Sequence, residues 1–468
     1  MDSFDYIFIG SKLTNIVALN QVLKNNPRKK VALIAPEKGI GGHFSSREID
    51  GITFDPGTVM HEFTSFGENN NKTFDNYNPD IRNSAGNYYS LVEKFVRNQI
   101  CVEKVSTPKM LYKGILYDDI IFSNSYDTFK NLPIHEEIKK EINFIVHYSD
   151  KKFHPKNKFK NKIYKSISYK DASIANHGKT LHYEIFEPFF SKMTNRGSQS
   201  MLALFSRVAW LPLYYPETIL DLLSNRKVDI PPTYFHYPKK GFIGELAKSL
   251  YDEALEYGLI HFKESFVYEE LLKKRILKIG NKKITSNKIF YVNPFNKLID
   301  GNNQIHIKQC KRFDAWSVLL FFAKIDKNAI SENFSCIYFP EESTLPYRVR
   351  LQPCLSNEDN TNAKLIFEMN PDFLEDRGFE DNEVIINHIY KDLVKHSILK
   401  EGYNLKLIKD FKLKDCIAFP NPKNLATVKE QQKMASLLFP DINFPSLEGN
   451  FSDTFNDQII KGLIIGNN

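Results

Sequence analysis

The chain has few of the features that mark disulfide-rich, metal-binding or membrane-spanning proteins. Its five cysteines, at positions 101, 310, 336, 354 and 416, are odd in number and never form a C-x-x-C pair, which argues against a disulfide framework or a zinc site. The longest apolar run, Trp316 to Ala323, contains Ser317 and is far shorter than the roughly 20 residues of a membrane helix. The N-terminus shows neither the basic nor the apolar part of a secretion signal. We therefore expect a cytoplasmic protein with no metal site and no membrane span.

Glycine and net charge are also low. Only 21 of 468 residues are glycine, against a typical share of about 7%. The 63 basic and 56 acidic residues leave a net charge of +7 with no block of five like charges, so no nucleic-acid-binding tail is expected. The remaining composition, 42% hydrophobic and 25% charged, is that of a folded globular protein. At about 150 residues per domain, the length predicts two or three domains.

The first 35 residues read as a strand, a helix and a second strand. Tyr6 to Ile9 and Lys30 to Ile34 are short apolar runs, and a helical stripe from Ile16 to Leu23 lies between them. Such a βαβ unit has parallel strands. A strand that ends in glycine at a helix start is the layout that binds a dinucleotide diphosphate, because helix N–H groups and the helix dipole face its negative charge.

The glycine fingerprint of that layout, G-x-G-x-x-G, is incomplete here. Gly10 keeps the first position, whereas Lys12 and Asn15 occupy the second and third. By itself the motif is therefore a weak sign of cofactor binding.

The rest of the chain alternates between strand and helix signals. A hairpin is predicted at Asp50-Gly51, and residues 68–235 read as an inserted, largely helical segment. Beyond it we predict strands at 260–266, 288–292, 318–325, 335–339, 347–352 and 363–368, a hairpin over 275–286, and helices at 244–256, 382–396 and 455–464.

Several motifs together resemble the superfamily of FAD-dependent amine oxidases, protoporphyrinogen oxidases and UDP-galactopyranose mutases. They are the Ile40-Gly41-Gly42 loop after the second strand, the Asp50 to Gly57 hairpin, the Pro238 to Gly241 turn with its helix, Phe266-Val267, and the closing segment from Gly449 to Gly462. Residues 177–192 and 210–218 look like the substrate-domain signatures of the mutase-like and oxidase-like members, and Tyr347 to Arg350 with Glu368 resemble the sheet that lies over the flavin.

This resemblance implies an α/β fold, with a Rossmann-like FAD/NAD(P)-binding domain and an interleaved α+β substrate domain. The binding domain would be assembled from residues 1–67, 236–300 and 430–468, and the substrate domain from 68–235 and 301–429. It implies FAD as cofactor and an anionic small-molecule substrate such as a sugar nucleotide or polysaccharide precursor. The FAD-binding residues it implies are Gly10, Ser11, Lys12, Glu37, Gly41, Gly42, His43, Val267, Gly449, Asn450, Asn456, Gln458 and Ile459.

Other residues are candidates for substrate binding and catalysis. Arg348 and Arg350 share a strand face and have the forked, permanent charge that binds phosphate or carboxylate groups. Tyr214 and Tyr215 are further candidates for substrate contact. The candidates for catalysis are His61, Arg348 and Tyr215. His61 and His236 are candidate acids or bases, because histidine titrates near neutral pH.

The sequence also departs from the family pattern. Ala35 stands where an acidic residue usually holds the ribose, although Glu37 follows two residues later, and Asn450 replaces an aspartate. Two outcomes are open for Lys12. Its ammonium could help to bind the diphosphate, or its stem could fill the diphosphate site while its amine pairs with a neighbour such as Glu37.

These departures leave three hypotheses of function. The first is an FAD-dependent oxidoreductase or mutase. The second is a non-catalytic relative that keeps the fold without FAD and binds a ligand or partner protein. The third, suggested only by the aromatic content, is an oxidase or desaturase of an apolar polycyclic or isoprenoid substrate. The sequence does not specify the substrate, the electron acceptor or the oligomeric state.

Overall fold

The structure is a computed structural model that describes residues 2–57, 60–64, 85–122, 125, 127–154, 160–226, 233–263, 266–267, 276–293, 313–352, 361–445 and 454–467. Its helices are α1 (Leu13–Asn25), α2 (Ala85–Gln99), α3 (Thr128–Asn131), α4 (His135–Tyr148), α5 (Lys160–Tyr164), α6 (Tyr169–Leu181), α7 (Glu187–Thr194), α8 (Pro216–Leu223), α9 (Glu245–Glu256), α10 (Pro371–Glu375), α11 (Asn382–Lys395), α12 (Pro422–Leu438) and α13 (Phe455–Gly466). A single π-helical turn, His182–Phe186, joins α6 to α7.

The strands belong to four sheets. They are β1 (Asp2–Ile9), β2 (Val31–Ile34), β3 (Arg47–Ile49), β4 (Ile52–Phe54), β5 (His61–Thr64), β6 (Val102–Lys104), β7 (Lys109–Tyr112), β8 (Ile115–Asp118), β9 (Thr233–Pro238), β10 (Ile260–Phe262), β11 (Phe266–Val267), β12 (Ile276–Ile279), β13 (Lys282–Tyr291), β14 (Ala315–Asp326), β15 (Cys336–Tyr338), β16 (Arg348–Gln352), β17 (Asn362–Met369), β18 (Lys406–Ala418) and β19 (Ile442–Asn443). The small sheets are the hairpin β3-β4, which turns on Asp50 and Gly51 as predicted, and the triplet β5-β9-β6.

The first large sheet is Rossmann-like and runs in the order β10-β2-β1-β13-β12-β11, with β19 beside β13. Strands β10, β2, β1, β13 and β19 are parallel, whereas β12 is antiparallel to β13 and β11 is antiparallel to β12. Ile7, Phe8 and Ile9 are fully buried because helices or loops cover both faces of such a sheet. The α/β class predicted from the first βαβ unit is confirmed.

Two strand predictions in this sheet were wrong in detail. The predicted strand 260–266 is divided between β10 and β11, which lie at opposite edges of the sheet. The predicted strands at 283–286 and 288–292 form one continuous strand, β13, which pairs with β12 at its start and with β1 along most of its length. Local sequence cannot distinguish these cases, since strand pairing partners are distant in the chain.

The second large sheet has the order β18-β14-β17-β16-β15-β7-β8 and is mostly antiparallel. Strand β14, which lies between β18 and β17, carries an apolar run because both of its faces are covered. Leu320 and Phe322 pack with helices α4, α6, α7 and α8, whereas Phe321 and Ala323 pack with α11. The sequence analysis did not predict the edge strand β18, nor that β7 and β8 from the helical segment join this sheet.

Helices α1 and α13, which come from opposite ends of the chain, lie side by side. The contact is close because α13 presents two glycines. A Cβ at Gly462 would lie 2.6 Å from Cβ of Val17, and one at Gly466 would lie 2.5 Å from Cβ of Gln21. None of the described helices is both long and apolar enough to cross a bilayer.

Candidate functional site

The turn between β1 and α1 begins at Gly10, whose backbone needs a glycine. Its φ is +93°, and a Cβ there would lie 2.5 Å from Oδ1 of Asn293. Its amide donates to the carbonyl of Ile34 at 2.9 Å and so extends the sheet. The Gly10 amide is therefore already used within the fold, and a diphosphate would rely on the lysine and on the first N–H groups of α1, which have no helical acceptor.

Lys12 is the N-cap residue of α1, although its side chain makes no capping hydrogen bond, and its stem contacts the Gly41-Gly42 turn. Its Cγ lies 3.5 Å from the position that a Cβ of Gly42 would take, and the amide of Gly41 donates to the carbonyl of Ser11 at 2.8 Å. Gly41 and Gly42 have φ values of 99° and 67°, and a Cβ on Gly41 would lie 2.7 Å from Cβ of Ala247. The stem of Lys12 thus lies along the Gly41-Gly42 turn.

Asn15 replaces the third glycine of the fingerprint and is fully buried. Its Nδ2 donates to the carbonyls of Ile9 and Gly10 at 3.1 and 2.9 Å. These two hydrogen bonds connect the end of β1 to α1. In dinucleotide-binding folds, a glycine usually allows the strand and helix to pack closely at this position. Its Oδ1 is buried and has no hydrogen-bond partner.

At the end of β2 the residues near the expected ribose site interact with the edge strand β10. The carbonyl of Ala35 lies 2.8 Å from Nε2 of His261. Glu37 is exposed and pairs with Nζ of Lys263 at 2.5 Å. The hydrogen bond from that lysine lowers the pKa of the Glu37 carboxyl group. The predicted acidic residue therefore lies at the surface in an ion pair with another lysine.

Exposure divides the site into an open end and a closed end. Ser11, Lys12 and Gly42 are half-buried and His43 is exposed, so solvent reaches the first turn. A few residues farther along, an aromatic group formed by Phe44, His61 and Phe455 is buried.

Phe455, at the start of α13, is the centre of this aromatic group. Its ring centroid lies 5.1 Å from that of Phe44 and 4.4 Å from that of His61. The two best-formed cavities bounded by described residues hold no more than about 10 Å³ each, and neither is lined by the glycine turns. Ligand pockets usually enclose about 300 to 1,000 Å³. Neither of these two cavities is therefore large enough to hold a flavin.

His61 lies on β5 opposite His236 of β9. Neither ring nitrogen of His61 has a hydrogen-bond partner, and the side chain is fully buried. Burial, with the nearby His236 and the Arg350 charge, lowers the pKa of His61 to about 3. Burial also lowers the pKa of His236, to about 4. Both imidazoles are therefore neutral at pH 7, where they could accept or donate a hydrogen bond but hold no extra proton.

Arg350 lies in a buried polar network centred on Asp55. Its Nη1 is 3.1 Å from Oδ2 of Asp55 and 3.2 Å from the carbonyl of Gly57, and its guanidinium lies 4.9 Å from the ring centroid of Tyr237. The Tyr237 hydroxyl donates to the same carboxylate at 2.6 Å. Nη2 of Arg350 is buried without a partner.

Arg348 lies on the same strand face, as predicted, and pairs with Glu368 at 2.5 Å. The hydroxyl of Tyr347 donates to the same carboxylate at 3.0 Å, and Trp210 stacks on the guanidinium at 3.8 Å. Both arginines are nearly fully buried and already carry an internal counter-charge. Their role in substrate binding stays a prediction.

The two candidate tyrosines lie in the helical layer. Tyr214 is buried, with its hydroxyl bonded to the carbonyl of Ile120 and its amide donating to Nε2 of His177 at 2.7 Å. Tyr215 stacks on His154 with ring centroids 5.5 Å apart. Neither tyrosine has a described contact with the glycine turns.

The remaining cofactor-binding candidates are Asn456, Gln458 and Ile459 of α13, Val267 of β11, and Gly449 and Asn450. Asn456 donates to the carbonyl of Glu62 at 3.1 Å, which brings α13 against β5, and its Oδ1 has no partner. Gln458 and Ile459 are fully buried. Val267 forms part of β11, although its side chain lies outside the described residues, as do Gly449 and Asn450.

Two residues with central positions were not assigned a role from the sequence. Asp55 lies in the Asp50 to Gly57 hairpin and Tyr237 directly precedes the Pro238 turn, and Asp55 binds both Tyr237 and Arg350. The sequence around Asp55 gives little signal, since Arg47, Glu48 and Asp50 of the same hairpin are charged and exposed, and only burial shows that Asp55 needs partners.

A Rossmann-like, mostly parallel sheet and a second, mostly antiparallel sheet define an α/β fold with two lobes. The same fold is found in the crystal structure of a reduced UDP-galactopyranose mutase, at 13% identity and a TM-score of 0.71, with 99% of this chain and 95% of that chain covered. A protein from Exiguobacterium, provisionally named protoporphyrinogen oxidase, matches at 15% identity and 0.62, with 100% and 99% covered.

A third similar structure is a putrescine oxidase redesigned in its cofactor binding, at 11% identity and a TM-score of 0.59, with 100% of this chain and 98% of that chain covered. No protein-family model and no curated protein matches the chain. At these identities the likeness concerns the fold, and it confirms the fold that the sequence motifs predicted.

Proposed function

We propose that the chain binds FAD between its two lobes and acts as an oxidoreductase or mutase-like flavoenzyme on an anionic small molecule, such as a sugar nucleotide. The observation that carries this proposal is a group of buried polar atoms without hydrogen-bond partners. They are both ring nitrogens of His61, Oδ1 of Asn456 and Nη2 of Arg350. Each such atom costs about 1 to 3 kcal/mol when left unsatisfied, so a polar ligand at this position is expected.

These atoms lie close together. Asn456 bonds to the carbonyl of Glu62, the residue after His61, and the ring of His61 contacts that of Phe455. The charge of Arg350 acts on His61. These contacts bring the start of α13 against β5, and we infer that the polar ligand lies beside His61 and Asn456.

The other end of the site suits a diphosphate. Lys12 supplies a cation at the N-terminus of α1, and both the ammonium and the helix dipole attract negative charge. Lys12 is half-buried, and its stem lies beside Gly42. A charge-assisted bond of this kind contributes about 1.5 to 3 kcal/mol, which partly offsets the loss of close glycine packing.

When bound, FAD would supply either hydride acceptance or a nucleophilic reduced flavin. The chain's own residues would bind and orient. Neutral His61 would hydrogen-bond to an uncharged polar edge, and Arg350, fixed by Asp55, would direct Nη2 toward an acceptor. The aromatic group of Phe44, His61 and Phe455 would have to separate to admit the flavin and would then exclude water.

We also propose the domain division predicted from the sequence, with residues 1–67, 236–300 and 430–468 in the binding domain and 68–235 and 301–429 in the substrate domain. In support, the strands of the Rossmann-like sheet fall within the first set, whereas β7, β8 and β14 to β18 of the second large sheet fall within the other.

A second candidate is a relative that keeps the fold without FAD and binds a partner or ligand. It is favoured by the closed aromatic group and by the stem of Lys12 along Gly42. Asn293 also occupies the space beside Gly10. If these contacts persist in solution, the groove has no room for a flavin.

The test is the visible spectrum of the purified protein together with a fluorescence titration with FAD. Bound or saturable flavin is the expected result, and a colourless protein that stays unsaturated at millimolar FAD would favour the second candidate. Lys12→Gly should weaken FAD binding at least tenfold, because a charge-assisted bond is lost. Lys38→Gly removes the same charge from an exposed loop position and should leave the affinity nearly unchanged. Tighter binding by Lys12→Gly would instead identify the lysine as an obstruction.

A further inference from the structure

The positive charge of the chain is concentrated in one short segment. Residues 139–170 contain ten lysines against two acidic residues, Glu141 and Asp150, a net charge of +8. Because the whole chain carries +7, the remaining 436 residues have a net charge of −1. A uniformly lysine-rich surface would not give this distribution.

Two aromatic side chains project from the same region. Helix α4 buries Ile138 and Ile142 against the helical layer. On its outer face, Phe144 and Tyr148 are 61% and 75% exposed, with ring centroids 5.7 Å apart. They are four residues apart and so form one apolar projection on the helix surface.

Exposed lysines lie around the C-terminal end of α4. Lys152 follows the helix, and Lys162 and Lys165 lie in and after α5. These segments are packed together, because the carbonyl of Phe153 accepts hydrogen bonds from the hydroxyl of Tyr164 at 2.6 Å and from Nδ2 of Asn176 at 2.9 Å. The aromatic pair and the lysines thus belong to one surface, which we call the basic aromatic face (Lys140, Phe144, Tyr148, Lys152, Lys162 and Lys165).

We propose that the basic aromatic face binds the surface of a lipid bilayer that contains anionic lipids. Aromatic rings are favourable at the headgroup level, and lysines nearby are attracted to anionic headgroups. The acidic residues Glu136 and Glu137 lie at the far end of α4, about three turns from Tyr148, whereas the exposed Asp150, which accepts from the amide of Lys152 at 3.0 Å, is outnumbered by the lysines of the face. This proposal does not depend on FAD binding.

Other occupants fit the face less well. A second copy of the chain would bring two segments of +8 together, which like-charge repulsion opposes. A nucleic-acid strand usually follows a basic groove with rings that separate to stack on bases. Here the two rings contact each other, and the cavity described beneath α4, lined by Ile145 and Val146, holds only about 10 Å³.

The experiment is co-sedimentation of the full chain with large vesicles of phosphatidylcholine alone or with about 30% phosphatidylglycerol. We expect binding only to the anionic vesicles, and a decrease of at least tenfold when the salt concentration rises from about 0.1 to about 0.5 M. Phe144→Ser combined with Tyr148→Ser keeps the charge and should weaken binding at least fivefold. Leu437→Ser, which changes a residue that is 70% exposed on α12, is the control and should bind like the unchanged chain.

The lysines are tested with matched triple variants. Lys152→Gln, Lys162→Gln and Lys165→Gln together should weaken vesicle binding at least tenfold. The same three-charge change at Lys406, Lys409 and Lys412, exposed on β18, should weaken it less than twofold. Circular dichroism checks that each variant is folded. Equal loss in both triple variants, no binding to anionic vesicles, or an oligonucleotide that binds the face more tightly than the vesicles do would overturn the proposal.

Discussion

Replacing Asp55 with asparagine would test whether the buried polar network holds the two lobes together. The carboxylate accepts hydrogen bonds from Oγ of Ser46 at 2.9 Å, the amide of Ile243 at 3.2 Å, the hydroxyl of Tyr237 at 2.6 Å and Nη1 of Arg350 at 3.1 Å. An asparagine side chain has one acceptor oxygen in place of two and carries no charge. At least one donor pair therefore loses its acceptor, and the arginine loses its counter-charge.

The expected loss of stability is large because Asp55 and Arg350 are both fully buried. Removing one partner of a buried ion pair costs about 3 to 5 kcal/mol. This is a sizeable part of the about 5 to 15 kcal/mol that stabilises a typical protein. Adding Arg350→Met to Asp55→Asn should restore part of the loss, since no uncompensated charge then remains, and the two changes should be non-additive by about 0.5 to 3 kcal/mol.

Urea unfolding followed by tryptophan fluorescence measures this effect, because Trp316 is buried in the second sheet. Gln352→Glu would not serve as a control, since that side chain bonds to the amide of Asp55. Asp410→Asn, on the edge strand β18, removes the same charge from a partly exposed position and should change the stability by less than about 0.5 kcal/mol. If Asp55→Asn stays within about 1 kcal/mol of the unchanged chain, the reasoning about the buried pair is refuted.

Two further predictions concern packing and pH. Gly462→Ala should destabilise the chain by about 1 to 3 kcal/mol in the same urea assay, because its Cβ would lie 2.6 Å from that of Val17. Ile464→Ala on the exposed side of α13 should have little effect. Stability should also fall as the pH drops from about 6.5 toward about 3, since burial lowers the pKa of both His61 and His177 to about 3 and only the unfolded chain takes up protons in that window. A His61→Phe variant should show a shallower decline, and a urea midpoint that is constant from pH 7 to pH 4 would contradict this assignment.

Local patterns were enough to predict most elements of the Rossmann-like lobe. The Asp50-Gly51 turn was predictable because both residues have positive φ, 49° and 76°, which favours these residue types in a tight hairpin. The end of α9 was predictable for the same reason, since Gly258 follows it with a φ of 92°. These features depend on backbone conformations that few residue types adopt.

Edge strand β18 was not predicted from the sequence. Its lysines and apolar residues alternate only in part, so the two-residue period that indicates a strand is weak. Its residues are mostly exposed or half-buried, so burial leaves little pattern to read. The strand forms because it pairs with β14, which is about 90 residues away in the chain. Pairing of this kind is decided by tertiary contacts.

The candidate site shows the same division. The residue types at the first turn were read directly from the sequence, and so was the replacement of two glycines by Lys12 and Asn15. Only the tertiary structure showed that Asn15 bonds to the end of β1 and that Glu37 pairs with Lys263 instead of approaching Lys12. A side chain's partner depends on which distant elements it meets.

The sequence by itself therefore determined the α/β class and most elements of the Rossmann-like lobe, because these follow from hydrophobic period and from glycine and turn positions. The tertiary structure alone decided that Arg348 and Arg350 are neutralised by Glu368 and Asp55 and that the nitrogens of His61 are buried without partners. The physical reason is that burial and charge pairing are properties of the assembled lobes, and residues from the two ends of the chain meet only when the lobes have packed.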